Sequence, residues 1–150
     1  MEMDKKIFES DFDPHSFGKK ANKLLNALEK NWHPTLKKSL PKANHEQLMK
    51  YCQSMLTRIR REELAISTFW KNLQSVWKFL IDVGCEDITQ INEEKMDAWW
   101  QNMLTRYENK EIKKSSLEKE LKCARAFIRF VLDTEHPEAI AKVKLPKKPK

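Results

Sequence analysis

Apolar residues recur along this chain at steps of three and four, the spacing that puts them on one face of a helix. The first such stripe is Phe17, Ala21, Leu24, Leu25 and Leu28. Asp13-Pro14 ahead of it has an N-cap acid and a proline suited to the first helical position, so a first helix is predicted from there to about Asn31. A second stripe, Leu48, Cys52, Met55, Leu56 and Ile59, follows Asn44 and Gln47, which have the spacing of a capping box. Arg58, Arg60 and Arg61 crowd its end, where the negative pole of a helix favours cations. A third helix is predicted from Ser67, with Phe69, Leu73, Val76, Trp77 and Leu80 turned inward and Gly84 as its left-handed cap. Asn92 caps a fourth, in which Ile91 and Met96 are placed as a hydrophobic staple and Met96, Trp99, Trp100, Met103, Leu104 and Tyr107 make the buried face. The fifth is predicted from a Ser115/Glu118 capping box, with Leu117, Leu121, Ala124, Phe127, Ile128, Val131 and Leu132 as its apolar side. No stretch alternates with the period of a strand.

The reading is therefore all-α. Only two glycines in 150 residues agree with long helices and short joints. Residues 1–12 carry no periodic pattern, and Trp32 to Ala43, with Pro34 and Pro41, reads as a connector. The expected organisation is an N-terminal helical arm and connector over 1–43, a main domain over 44–141, and a basic tail over 142–150.

Charge changes the picture more than composition does. The formal net charge is +7, which makes an anionic partner plausible. The cations are also ordered. Lys119, Lys122, Arg125 and Arg129 lie off the apolar stripe of the fifth helix, and Lys71, Gln74 and Lys78 lie on the outer side of the third. After Glu138 the tail carries five lysines and no acid. Two helices presenting such rows to one major groove would reach phosphates and base edges. The alternative is an ordinary solvated face, since Glu118 and Glu120 dilute the row on the fifth helix.

Other chemistry is sparse. His15, His33, His45 and His136 are not paired with another ligand at helical spacing, and His45 is expected to be solvated in a first helical turn. Cys52, Cys85 and Cys123 form no Cys-x-x-Cys pair, so zinc is not expected and the thiols read as reduced and cytosolic. Trp77, Trp99 and Trp100 fit core positions, while the phase of Trp70 leaves it near the surface as a stacking platform or the border of a protein contact. No phosphate-cradling glycine loop or nucleophile elbow is present. No apolar run is long enough to span a bilayer and no signal peptide is evident. No cofactor, membrane or small-molecule ligand is expected.

The run Ile66-Ser67-Thr68-Phe69-Trp70-Lys71-Asn72-Leu73-Gln74-Ser75-Val76-Trp77-Lys78-Phe79-Leu80 resembles the Ser/Thr-capped helix, ending in an aromatic-leucine pair, of the N-terminal core-binding domain of tyrosine recombinases, the phage integrase family. Asp87-Ile88-Thr89-Gln90-Ile91-Asn92 resembles that domain's link into its next helix. Ser115-Ser116-Leu117, Arg125-Ala126-Phe127-Ile128-Arg129-Phe130-Val131 and His136-Pro137-Glu138-Ala139-Ile140 resemble its last helix and the turn after it, with His136 where asparagine is usual. Leu145-Pro146-Lys147-Lys148-Pro149-Lys150 resembles its interdomain linker. The match spans about two thirds of the chain and leaves out the arm.

The resemblance implies a four-helix bundle, of orthogonal helical hairpins, that grips one side of double-stranded DNA. An extra N-terminal helix precedes it here. It also implies a DNA-contacting set: Ser67, Thr68, Lys71, Gln74 and Lys78 from the third helix, Lys114, Ser116, Lys119, Lys122, Arg125 and Arg129 from the fifth, and Lys144, Lys147 and Lys148 from the linker. The family's catalytic arginine, lysine, His-x-x-Arg pair and tyrosine belong to a separate domain, and no His-x-x-Arg occurs in this sequence. The expectation is a non-catalytic DNA-binding fragment of a cytoplasmic, nucleoid-associated recombinase that works beside other protomers. A helical protein-interaction module with a basic surface and a stand-alone DNA-binding regulator remain the alternatives.

Overall fold

The computed structural model describes residues 19–61 and 66–135, with side chains described over 23–59, 61 and 67–132. Among the described residues five α-helices follow one another: α1 (Lys19–Glu29), α2 (Lys42–Arg60), α3 (Ile66–Val83), α4 (Glu93–Glu108) and α5 (Lys114–Glu135). A 3-10 turn, Ile88–Gln90, joins α3 to α4. Among the described residues there is no strand, only an isolated bridge between His33 and Lys38. The fold is all-α. No helix of the described residues is long and apolar enough to cross a membrane. The predicted start at Asp13-Pro14, Phe17 and the whole tail from His136 lie outside the described residues.

The chain divides into two compact units, residues 1–74 and 75–150, and the division falls inside α3. In the first unit Leu25 and Leu28 of α1, Leu48, Cys52, Met55, Leu56 and Ile59 of α2, and Phe69 and Leu73 of α3 are buried, as their spacing predicts. Burying each large apolar side chain contributes roughly 1.5–3 kcal/mol, which holds together short helices that water would otherwise melt.

The second unit buries Val76, Trp77, Phe79 and Leu80 of α3, Met96, Trp99, Trp100 and Met103 of α4, and all seven apolar positions predicted for α5. Phe79 meets Trp99 edge-on, with ring centres 4.8 Å apart and planes at 86°, the geometry that ring quadrupoles favour. Helix α5 lies against both α4 and the 3-10 turn. Leu104 and Tyr107 are only half-buried, so the inner face of α4 narrows toward its C-terminus.

Joints behave largely as their residues demand. Gly84 takes φ +63° beyond α3, Asn92 Oδ1 accepts from Lys95 N–H at 2.9 Å, and Ile91 and Met96 are both buried. Two predicted capping boxes are not formed. Helix α2 starts at Lys42, because Pro41 is extended and its carbonyl already accepts from His45 N–H at 3.0 Å. Asn44 and Gln47 therefore fall inside the helix and are buried. Likewise Leu117 N–H bonds the Lys113 carbonyl at 2.9 Å, so α5 begins before Ser115, which stays exposed within the first turn. His45 is not solvated: its Nε2 lies 2.7 Å from the Leu28 carbonyl.

Candidate nucleic-acid interface

The cationic row of α5 follows from the same periodicity as its core. With 3.6 residues per turn, Lys119, Lys122, Arg125 and Arg129 share an arc of about 120° facing away from Leu117, Leu121 and Ala124. Lys119, Lys122 and Arg129 are exposed and Arg125 is half-buried. Lys122, Arg125 and Arg129 line one open groove of about 380 Å³, together with Leu121 and Ala126. Arg125 Nε is enclosed by protein with no hydrogen-bond partner among the described residues. A guanidinium enclosed at its neck loses little further freedom when its outer nitrogens meet an anion.

The two acids that dilute the row separate in three dimensions. Glu120 points to the other side of α5 and accepts from Ser75 Oγ at 3.0 Å, which ties the second half of α3 to α5 inside the second unit. Glu118 stays on the cationic side, four residues before Lys122. Neither Glu118 nor any of the four cations forms an ion pair among the described residues. Burial pushes the Cys123 thiol up; a hydrogen bond with Ser75 pulls it down, Glu120 pushes it up, and Lys119 and Lys122 pull it down.

The remaining candidates fall into separate places. Lys114 and Ser116 are exposed in the first turn of α5. Lys78, in the second unit, is half-buried rather than fully outward. Ser67, Thr68, Lys71 and Gln74 are exposed on the part of α3 that belongs to the first unit. Lys144, Lys147 and Lys148 lie outside the described residues. Among the described residues of this set, Lys122, Arg125 and Arg129 are brought together around one depression. Periodicity identified these three, but not that Leu121 and Ala126 share the lining with them.

A second groove, of about 310 Å³, is lined by the C-terminal end of α3 and by α4. Asp82 shares its lining with Lys95 and Arg106, so its charge is mixed and it favours no one sign of ligand. The thiols offer no reactive centre in the core. Burial, with Glu29 adding to it, pushes Cys52 up to about 12, far above the range in which a thiolate forms at neutral pH. Trp77, Trp99 and Trp100 are core residues and Trp70 is half-buried, its ring 5.3 Å from that of Phe69.

No protein-family model, no curated protein and no solved structure matches this chain. A functional reading therefore rests on its own residues.

Proposed function

We propose that this chain is a duplex-DNA-binding module of the kind that tyrosine recombinases use as a core-binding domain. It grips the phosphate backbone through the outer face of α5. The observation that carries the reading is the groove of Lys122, Arg125 and Arg129, three cations with no ion pair among the described residues. Cations at the mouth of an open groove, with no ion pair among the described residues, are poised to displace counterions from DNA, the main source of sequence-independent affinity.

From Lys119 to Arg129 the row is about 15 Å long at 1.5 Å per residue, enough to follow several phosphates of one strand. Lys and Arg side chains of this kind set position on the duplex, whereas Gln74 and the Ser67 and Thr68 hydroxyls are of the type that reads base edges. In this proposal the chain performs no chemistry itself. Catalysis belongs to a domain outside residues 1–150, and other protomers share the DNA site within the cytoplasm and nucleoid.

The test is fluorescence anisotropy with a labelled duplex at low and moderate salt. Wild type is compared with a variant carrying alanine at Lys119, Lys122, Arg125 and Arg129. The expected result is salt-sensitive binding that weakens on the order of 100-fold in the variant, with helix content unchanged; the salt slope falls by roughly one for each phosphate that is no longer neutralised. Absence of binding at low salt contradicts the proposal. It would favour the second reading, an acidic amphipathic protein segment seated in the same groove, for which the apolar Leu121 and Ala126 in the groove lining are the supporting observation.

A further inference from the structure

The segment between α1 and α2 is a built turn. Helix α1 closes with Asn31 N–H on the Leu28 carbonyl at 3.0 Å and Trp32 N–H on the Ala27 carbonyl at 3.1 Å. That pair of bonds is the Schellman arrangement, here with Asn31 rather than glycine in the left-handed position at φ +55°. The Asn31 amide then clamps the far end of the turn twice, donating from Nδ2 to the Leu40 carbonyl at 2.7 Å and accepting at Oδ1 from Leu40 N–H at 2.8 Å. His33 closes it from within. Its Nδ1 accepts from Thr35 and Leu36 N–H at 3.3 and 3.0 Å, and its backbone N–H donates to the Lys38 carbonyl at 2.8 Å. Lys37 is also held left-handed, at φ +55°.

This scaffold displays one side chain that a folded protein ordinarily hides. Trp32 is 48 % exposed, and it is the one large hydrophobic residue so exposed among the described residues. The position it occupies after a Schellman turn normally packs an apolar side chain back onto the helix. Ala27 stands at the receiving position and presents only a methyl, so half of the indole remains in solvent. The surroundings are cationic. Lys30, Lys37, Lys38 and Lys42 are all exposed, the His33–Lys38 bridge sets Lys37 and Lys38 across the turn from Trp32, and no acid occurs between Glu29 and Glu46.

We propose that this turn is a second nucleic-acid contact, in which Trp32 stacks on an unpaired base while Lys30, Lys37 and Lys38 hold the flanking phosphates of a single strand. An aromatic face within a positive field is the combination that binds single strands with little regard to sequence. Two non-glycine residues held left-handed, and clamped by the Asn31 and His33 side chains, keep the ring presented in advance, so binding costs little further ordering. The site belongs to the first unit and does not depend on the α5 face.

The experiment titrates the full chain with single-stranded oligothymidylate and, separately, oligouridylate, following anisotropy and tryptophan emission. Trp77, Trp99 and Trp100 are buried and Trp70 half-buried, so quenching that disappears in Trp32→Phe reports this ring. The expected result is binding that weakens roughly 10-fold or more in Trp32→Ala. Trp32→Phe recovers part of the affinity, which a fold defect would not allow. Glutamine at Lys30, Lys37 and Lys38 lowers the salt slope by about 2, at about 0.7 for each single-strand phosphate. The variant stripped of the four α5 cations retains this Trp32-dependent binding, which separates the two sites. Preference for one of the two oligomers identifies the strand as DNA or RNA. Single-strand affinity that Trp32→Ala leaves within about twofold of wild type overturns the proposal, since stacking is worth more than that. So does Trp32-dependent partition into anionic phosphatidylserine vesicles by a chain that ignores both oligomers.

Discussion

The outer face of α5 and the turn between α1 and α2 carry similar cations on opposite kinds of scaffold. On α5 the lysines and arginines are spaced by helix geometry, and their positions are fixed by burial of Leu117, Phe127 and Val131 on the other side. In the turn nothing is periodic. The display depends on Asn31 and His33 satisfying backbone groups that no helix or sheet would satisfy. A helix face is therefore robust to most single polar changes and vulnerable in its core. A clamped turn is vulnerable at one polar side chain.

The largest expected effect breaks the helical scaffold. Phe127→Ala removes a fully buried ring from beneath the cationic face and should destabilise the chain by about 3–5 kcal/mol, read as a lowered denaturant midpoint. Asn31→Ala comes next. It removes both bonds to Leu40 and puts a less tolerant residue at φ +55°; a cost of about 2 kcal/mol is expected by chemical denaturation. The comparison is sharpened if Asn31→Ala also weakens single-strand binding while leaving duplex binding on α5 intact.

A smaller effect comes from pH. Burial lowers the His33 pKa from its ordinary 6.5, and the neutral ring is what lets Nδ1 accept from Thr35 and Leu36. The neutral form is favoured by folding, so this stabilisation is complete above about pH 6.5 and disappears as the pH falls toward and through the lowered folded value. The protection of the Thr35 and Leu36 amides, relative to their intrinsic exchange rates at each pH, should fall over that interval, whereas that of amides in the middle of α5 should not. The smallest effect is a gain. Lys110 closes α4 at φ +62°, with Lys110 and Glu111 N–H on the Tyr107 and Arg106 carbonyls at 3.0 and 2.9 Å. Lys110→Gly should therefore stabilise by about 0.5–1 kcal/mol in thermal melts.

What was legible in the sequence follows the same division. Helix periodicity gave the buried residues of α2, α3 and α5, and Gly84 and Asn92 gave their joints, because each of those choices has one cheap physical solution. It also separated the α5 cations from the core. It misplaced two helix starts, since a Ser or Asn three residues before Glu or Gln caps a helix only if the helix begins there. Pro41 and Lys113 take that position first. The turn was missed as a candidate altogether. Trp32 stands between an asparagine and His33-Pro34 with no stripe to join, and that lack of phase was the available signal. The clamp itself, Asn31 to Leu40, spans nine residues, and no local pattern encodes such a bond.

Duplex DNA is proposed to sit on the outer face of α5. The most direct test is the side-chain N–H spectrum of the ¹⁵N-labelled chain at low salt, titrated to saturation with duplex. The Arg125 and Arg129 Nε–H resonances should shift and slow their exchange with water, and the Trp32 indole resonance should stay in place. Arg125 and Arg129 resonances that do not move at saturating duplex would contradict the account.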